Sequence, residues 1–128
     1  LYRQHLSRNP LFDCLFLQLN SISLIAKIDN QIVGFVIGAV YREGKALSGH
    51  VLTVDVLPEY RRKGIGLTLL QEMENIFRKR DIKTCCLEVR EDNIAALELY
   101  RKLGYVEVGK LKNYYRNTNG IYLRKILI

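Results

Sequence analysis

The sequence predicts an α/β fold, a central sheet of mixed strand direction flanked by helices. Three observations point there. The runs Val51 to Leu57 and Thr84 to Arg90 are apolar and rich in β-branched residues, as strands are. Between them Ile65, Leu69, Leu70, Met73, Ile76 and Phe77 recur at spacings of three and four, the apolar stripe of an amphipathic helix. A strand, a helix and a strand in that order form a crossover, so the two strands run parallel, while the strands before and after them return by turns.

The elements follow in order. Leu1, Tyr2, His5 and Leu6 stand at helical spacing, so Leu1 to Arg8 reads as the end of a helix, broken by Asn9-Pro10. Leu11 to Leu19 is apolar and ambiguous, a short helical turn or an irregular connection. Ile22 to Ile28 reads as a strand, and Asp29-Asn30 tolerates left-handed geometry, so Gln31 to Tyr41 returns as the second arm of a hairpin. Gly34 and Gly38 inside that arm mark a bulge or a close backbone approach. Arg42 to Lys45 is a polar turn and Leu47 to Leu57 the next strand, which Pro58 ends because it lacks an N–H. The helix runs from about Gly64 to Arg80, with Arg78, Lys79 and Arg80 complementing the negative end of its dipole. Thr84 to Arg90 is nearly continuous in apolar residues, as a buried parallel strand is. Asp92 and Asn93 are helix N-cap residues, Ala95 to Leu103 carries a second apolar stripe, and Gly104 stops that helix. Tyr105 to Val108 and Gly120 to Ile126 are the last strands, around a loop from Lys112 to Asn119. Nothing divides residues 1–128, so one domain is expected, and its start at Leu1 rather than Met suggests a missing beginning.

Composition narrows the function. With 48% hydrophobic and 26% charged residues the chain is globular rather than disordered. No apolar run reaches ~18 residues and no signal peptide is visible, so no membrane association is expected. Cys14, Cys85 and Cys86 are odd in number and lack metal-type spacing, which favours a reduced, cytoplasmic location and no metal site. The formal charge of +7 and pI of about 9.5 suit an anionic ligand or an anionic neighbour such as RNA.

The ligand site is read from the stretch after Leu57. Arg61-Arg62-Lys63-Gly64-Ile65-Gly66 joins a strand to a helix N-terminus. There unpartnered N–H groups, the positive dipole end, close backbone approach at glycine and basic side chains together suit a phosphate or pyrophosphate. The P-loop string is absent, and the dinucleotide fingerprint lacks its third glycine, Leu69 standing there. A solvated basic turn is the plain alternative. What matches on residues is Arg/Gln-x-x-Gly-x-Gly/Ala, with Arg61, Gly64 and Gly66 in its fixed positions. A second region, Leu87 to Asn93 followed by Ala96, Leu99-Tyr100 and Leu103-Gly104-Tyr105, has a strand ending in Asn and a helix ending in Tyr-x-x-x-Gly-Tyr. Together these resemble the two signatures of the GNAT acetyltransferases, from about Ile22 to the C-terminus. Lys112-Asn113-Tyr114-Tyr115 further resembles the tyrosine pair of the RimI-like and the NatA- and NatE-type N-terminal acetyltransferases. The sequence departs from that group where Asn119-Gly120-Ile121 replaces a Gly/Asp-rich turn and Asp-Ala, and in lacking a first strand and helix before Leu1.

The resemblance implies a GNAT fold with splayed parallel strands, and acetyl transfer from acetyl-CoA to the α-amino group of a protein or peptide N-terminus in a ternary complex. Acetylation of lysine or a small-molecule amine by the same fold is the alternative, and a basic ribosome- or RNA-binding module is a different class, though no specific nucleic-acid motif is present. It also implies that Val54, Val56, Arg61, Arg62, Lys63, Gly64, Ile65, Gly66, Asn93 and Tyr100 bind the cofactor, and that Tyr114, Tyr115 and Glu88 meet the acceptor. A ribosome or an auxiliary subunit is a candidate partner. Glu88 is the implied base: a carboxylate in an apolar strand is costly unless paired or wet, and a structural ion pair is its plain alternative. Tyr100 is the implied acid for the departing CoA sulfur, or a core residue beside Leu103. His50 is the competing base, at a position where NatE-type enzymes carry a tyrosine. Cys86 shares a strand face with Glu88 and lines the same cleft, or is a small buried core residue.

Overall fold

The computed structural model describes residues 2–5 and 18–128. Among them one sheet has seven strands in the order β1-β2-β3-β4-β5-β7-β6. The strands are β1 (Tyr2–His5), β2 (Gln18–Ile28), β3 (Gln31–Glu43), β4 (Ala46–Val56), β5 (Thr84–Arg90), β6 (Val106–Tyr115) and β7 (Thr118–Ile126). Helix α1 (Ile65–Lys79) connects β4 to β5, and α2 (Ile94–Lys102) connects β5 to β6. The β4–β5 pair is parallel and the other five are antiparallel, as a single crossover requires.

Local chemistry explains the turns. Asp29 and Asn30 have φ of 51° and 69°, the two left-handed residues of a hairpin turn whose twist matches that of the strands. Asn93 caps α2 by accepting from the Ala96 N–H at 3.2 Å, and Gly104 ends that helix with φ of 97°. The apolar stripe of α1 buries Leu69, Leu70, Met73, Ile76 and Phe77 against the sheet, each worth about 1.5–3 kcal/mol. The helix lies so close that a Cβ on Gly49 would stand 2.5 Å from Phe77, and one on Gly38 2.8 Å from the Met73 sulfur. Gly38 is therefore the close approach that a glycine inside a strand suggests.

Two features shape the site. Between β3 and β4, Ile37 pairs Thr53 while Gly38 pairs Val51, which leaves Leu52 as the extra residue of a bulge. Simple alternation would put His50, Val54 and Val56 on one face. The bulge instead turns Val54 and Val56 toward α1, where they pack on the core. Second, β4 and β5 pair only at Gly49–Cys85 and His50–Cys86. Beyond those rows β4 continues to Val56 and β5 to Arg90 without pairing each other, so the parallel strands splay.

Three expectations change. Tyr2–His5 is a strand antiparallel to Ile22–Ile25, not the end of a helix. Four residues of helical spacing are too few to fix a period, and an unpaired β2 edge supplies a partner for the backbone. Residues 112–119 are no open loop: β6 runs to Tyr115 and β7 starts at Thr118. Polar composition hid pairing that continues through a bulge. Likewise β3 and β4 extend to Glu43 and from Ala46, narrowing the turn expected over Arg42 to Lys45. The ambiguous stretch Leu11 to Leu19 falls outside the described residues up to position 17, and its last two residues lie in β2.

Candidate active site

The splay opens next to a polar row on the sheet face away from α1. At its closed end the Thr84 hydroxyl donates to Ser48 Oγ at 3.2 Å, and Ser48 Oγ lies 3.7 Å from Cys86 Sγ. One row further, where the strands part, His50 Nε2 lies 2.9 Å from each carboxylate oxygen of Glu88. Both side chains are partly buried, His50 at 25% and Glu88 at 17% exposure, so the pair is shielded yet reachable. The rival bases read from the sequence are thus one unit. Parallel register puts Gly49 opposite Cys85 and His50 opposite Cys86, and Glu88, two residues on, leans back across the gap.

Tyrosines surround this pair. The Tyr114 hydroxyl donates to Glu88 Oε1 at a long 3.5 Å, and its ring meets the Tyr115 ring edge-on at 5.0 Å. Tyr41, at the end of β3, packs edge-on against the His50 imidazole at 5.7 Å. Burial first, then the Glu88 carboxylate, raises the phenol pKa of Tyr41 and of Tyr114. Tyr115 is raised by burial, then by Tyr114 and Glu88, and its ring lies 5.6 Å from the Arg90 guanidinium, which Asp92 holds at 3.1 Å. Tyr41 was not singled out by the sequence. Only the register, Tyr41 opposite Ser48 and Ala39 opposite His50, reveals it as a neighbour of the imidazole.

Tyr100 occupies the other side. It is 7% exposed on α2 and packs edge-on against Tyr105 at 5.9 Å. Its pKa is pushed up to about 12 by burial, then by Tyr115 and Cys85, so the phenol keeps its proton at any physiological pH. No contact joins it to His50 or Glu88 among the hydrogen bonds of the described residues. Cys86 shares the face of Glu88, as expected, but is 2% exposed.

The basic loop has the form an anion needs. Gly64 caps the start of α1 with φ of 83°, a conformation that side chains rarely adopt, and a Cβ there would meet nothing within 4 Å among the described residues. The first N–H groups of α1, from Ile65 and Gly66 on, have no partner within the helix, as at any helix start. Arg62 is also left-handed at φ of 62°, and the Lys63 ammonium lies over the Tyr60 ring at 5.5 Å. Arg61 turns inward, its Nε donating to the Val56 carbonyl at 2.8 Å and its Nη2 to Asp55 at 3.3 Å. It braces the end of β4, which places the loop. Asn93 spends its Oδ1 on the cap and keeps its amide at the surface.

Comparison with known proteins follows this geometry. Residues 2–105 match the model of the acetyltransferase (GNAT) family. The chain is 37% identical over 108 residues to an N-alpha-acetyltransferase of Saccharolobus solfataricus, covering 77% of this chain and 65% of that protein. It is 36% identical over 100 residues to the N-terminal acetyltransferase B complex catalytic subunit NAA20 of Arabidopsis thaliana, covering 77% of this chain and 58% of that one. The chain thus spans less than two thirds of the length of either relative. The structure of Arabidopsis thaliana Naa50 in complex with the bisubstrate analogue CoA-Ac-MVNAL superposes with a TM-score of 0.74 at 25% identity, covering 82% of this chain and 71% of that one. A family model that spans most of the chain, on a sheet with the expected splay, carries the assignment: the chain belongs to the acetyltransferase (GNAT) family.

Proposed function

We propose that residues 1–128 form a single N-acetyltransferase domain that moves the acetyl group of acetyl-CoA to the α-amino group of protein or peptide N-termini. The observation that carries this reading is the His50–Glu88 pair at the mouth of the splayed strands, with the Tyr114 hydroxyl on the same carboxylate. The names of the relatives, N-alpha-acetyltransferase and N-terminal acetyltransferase B catalytic subunit, support it. The splay leaves room for the pantetheine arm beside Val54 and Val56, and the Arg62 to Gly66 backbone receives the pyrophosphate.

The chemistry asks little of the base. An α-amino group has a pKa of about 7.7–8.0, against about 10.4 for lysine, so a modest base suffices for the first and strains at the second. His50 takes the proton from the incoming ammonium, and the Glu88 carboxylate orients and stabilises the imidazolium. The amine attacks the thioester carbon, a β4 backbone N–H left without a strand partner by the splay receives the developing oxyanion, and the C–S bond breaks. Tyr100, still protonated, gives its proton to the departing thiolate, and the second proton shed by the nitrogen as the amide forms restores the phenol. The same reading takes the cytoplasm as the location and the ribosome or an auxiliary subunit as the partner that presents the substrate. No helix among the described residues is long and apolar enough to cross a membrane.

Acetyl transfer measured over a peptide panel, with free and with blocked N-termini, decides between acceptors. Transfer confined to free N-termini is expected. Equal rates on blocked, lysine-containing peptides would instead make the protein a lysine acetyltransferase.

A further inference from the structure

The hairpin that carries the two tyrosines is irregular in a specific way. Leu111 pairs Gly120 and Tyr115 pairs Thr118, so Lys112, Asn113 and Tyr114 on β6 face Asn119 alone on β7. Such a bulge needs a backbone excursion, and Asn113 makes it with φ of 53°. The excursion is held from the opposite strand. The Asn113 N–H donates to the Asn119 side-chain oxygen at 2.9 Å, and the Asn119 side-chain nitrogen donates to Glu91 Oε1 at 3.2 Å. The Glu91 N–H in turn donates to the Asn119 carbonyl at 3.0 Å, which ties the end of β5 to the start of β7. The next residue completes the seat: a Cβ on Gly120 would stand 3.1–3.3 Å from three Tyr114 atoms, so the ring lies on bare backbone. From this seat the Tyr114 hydroxyl reaches Glu88.

We propose that Asn119 is a positioning residue for the acceptor: its amide, with Gly120 beside it, fixes the bulge that carries the Tyr114 hydroxyl to the Glu88 carboxylate. This rests on the reading of Tyr114 as an acceptor contact. The chemistry selects an amide. Its oxygen accepts from a backbone N–H while its nitrogen donates to a carboxylate, two opposite demands that neither a carboxylate nor a hydrocarbon meets. The substitution Asn119→Asp leaves an acceptor for the Asn113 N–H but sets a carboxylate against Glu91, and Asn119→Ala removes both hydrogen bonds. Exchanging both ends, Asn119→Asp with Glu91→Gln, restores the two hydrogen bonds with the polarity of the second reversed. It also removes the Lys110–Glu91 ion pair at 3.2 Å, which is half exposed and contributes little.

The test compares Asn119→Ala, Asn119→Asp and the double variant Asn119→Asp/Glu91→Gln in the intact protein. Peptide KM, acetyl-CoA KM and the ring resonances of Tyr114, assigned by nuclear magnetic resonance, are measured for each. Peptide KM is expected to rise about tenfold in both single variants, the scale of one lost hydrogen bond, and to recover in the double variant. Acetyl-CoA KM should stay within about twofold throughout. A hairpin cap with no role in acceptor binding would leave peptide KM unchanged or move both constants together, and either result overturns the proposal, as does a double variant no better than Asn119→Asp. If the unaltered protein acetylates no peptide, the functional reading fails, and the Tyr114 resonances decide the positioning claim. A shift in Asn119→Ala that returns in the double variant supports it, and unmoved resonances overturn it.

Discussion

His50 and Glu88, which the sequence offers as rival bases, touch each other at 2.9 Å, and this changes how their removal should read. Groups that act as one unit are strongly non-additive, since either loss disables the unit. Glu88→Gln keeps the volume and removes the charge, while His50→Phe keeps a ring and removes the nitrogens. Each should lower kcat by about 10²–10⁴-fold with little change in acetyl-CoA KM. The double variant should lose little more than the worse single one, measured by steady-state kinetics over pH 6 to 9. Multiplying losses would mean that the two groups act in separate steps. Glu88 was legible as a candidate because a carboxylate interrupts the apolar run Cys85 to Val89. His50 was legible as its rival, but the contact between them was not, because it depends on a parallel register across 38 residues of chain. Tyr41 stayed hidden because its contact with His50 depends on the antiparallel register of β3 and β4.

At the scale of elements, sequence periodicity located α1, α2 and β5 to within a residue or two, because each buries a face against the sheet. It could not locate the Leu52 bulge, since a bulge leaves composition untouched and shows only in which residues pair. That bulge matters to function, as it sends Val54 and Val56 to the core while His50 keeps the other face. The bulge in β6 escaped likewise, and Lys112 to Asn119 read as loop because its asparagines serve the hairpin's own hydrogen bonds. The Gly64 turn was legible, and its geometry sharpens the expectation there. Gly64→Val places its Cβ where nothing lies within 4 Å among the described residues but forces a β-branched residue to φ of 83°, a strain of about 1–2 kcal/mol. It also sets a side chain in the open space before the α1 N–H groups. We expect a modest fall in thermal stability and a rise in acetyl-CoA KM with peptide KM unchanged. Unchanged affinity for CoA by calorimetry would move the pyrophosphate site away from this loop.

Across the whole molecule the sheet separates two polar systems. The open face carries the His50–Glu88 pair, and the helix face buries a network that the reaction does not use. There Glu74 is 2% exposed and binds Lys125 Nζ at 2.9 Å and the Tyr105 hydroxyl at 2.9 Å, with Arg78 at 3.6 Å. Tyr105 also lies 3.1 Å from the Cys85 sulfur. This joins α1, β5, β7 and Tyr105 just before β6, and it bears on alkaline stability. Burial pushes the Cys85 thiol up from 9.0 to about 12; the Tyr105 hydrogen bond is the largest opposing effect, and Glu74 and Cys86 add to the rise while Lys125 opposes it. Burial raises Tyr100 from 10.0 to about 12, and burial with Cys85 and Glu74 raises Tyr105 further still. In each case the folded group holds its proton to a higher pH than the unfolded one. Below about pH 9 both states are protonated and this contribution is fully present. As the pH rises from about 9 toward 12 the unfolded chain loses these protons first, so it binds fewer than the native state and stability falls. Urea midpoints measured under reducing conditions from pH 7 to 11 should therefore be nearly level to about pH 9 and then decline. Cys85→Ala and Tyr105→Phe should each lower the midpoint at neutral pH but flatten that alkaline limb, because each removes one of the protons at stake. A wild-type midpoint that holds level to pH 11, or a limb as steep in both variants as in the parent, would show that the buried thiol and phenols do not govern it.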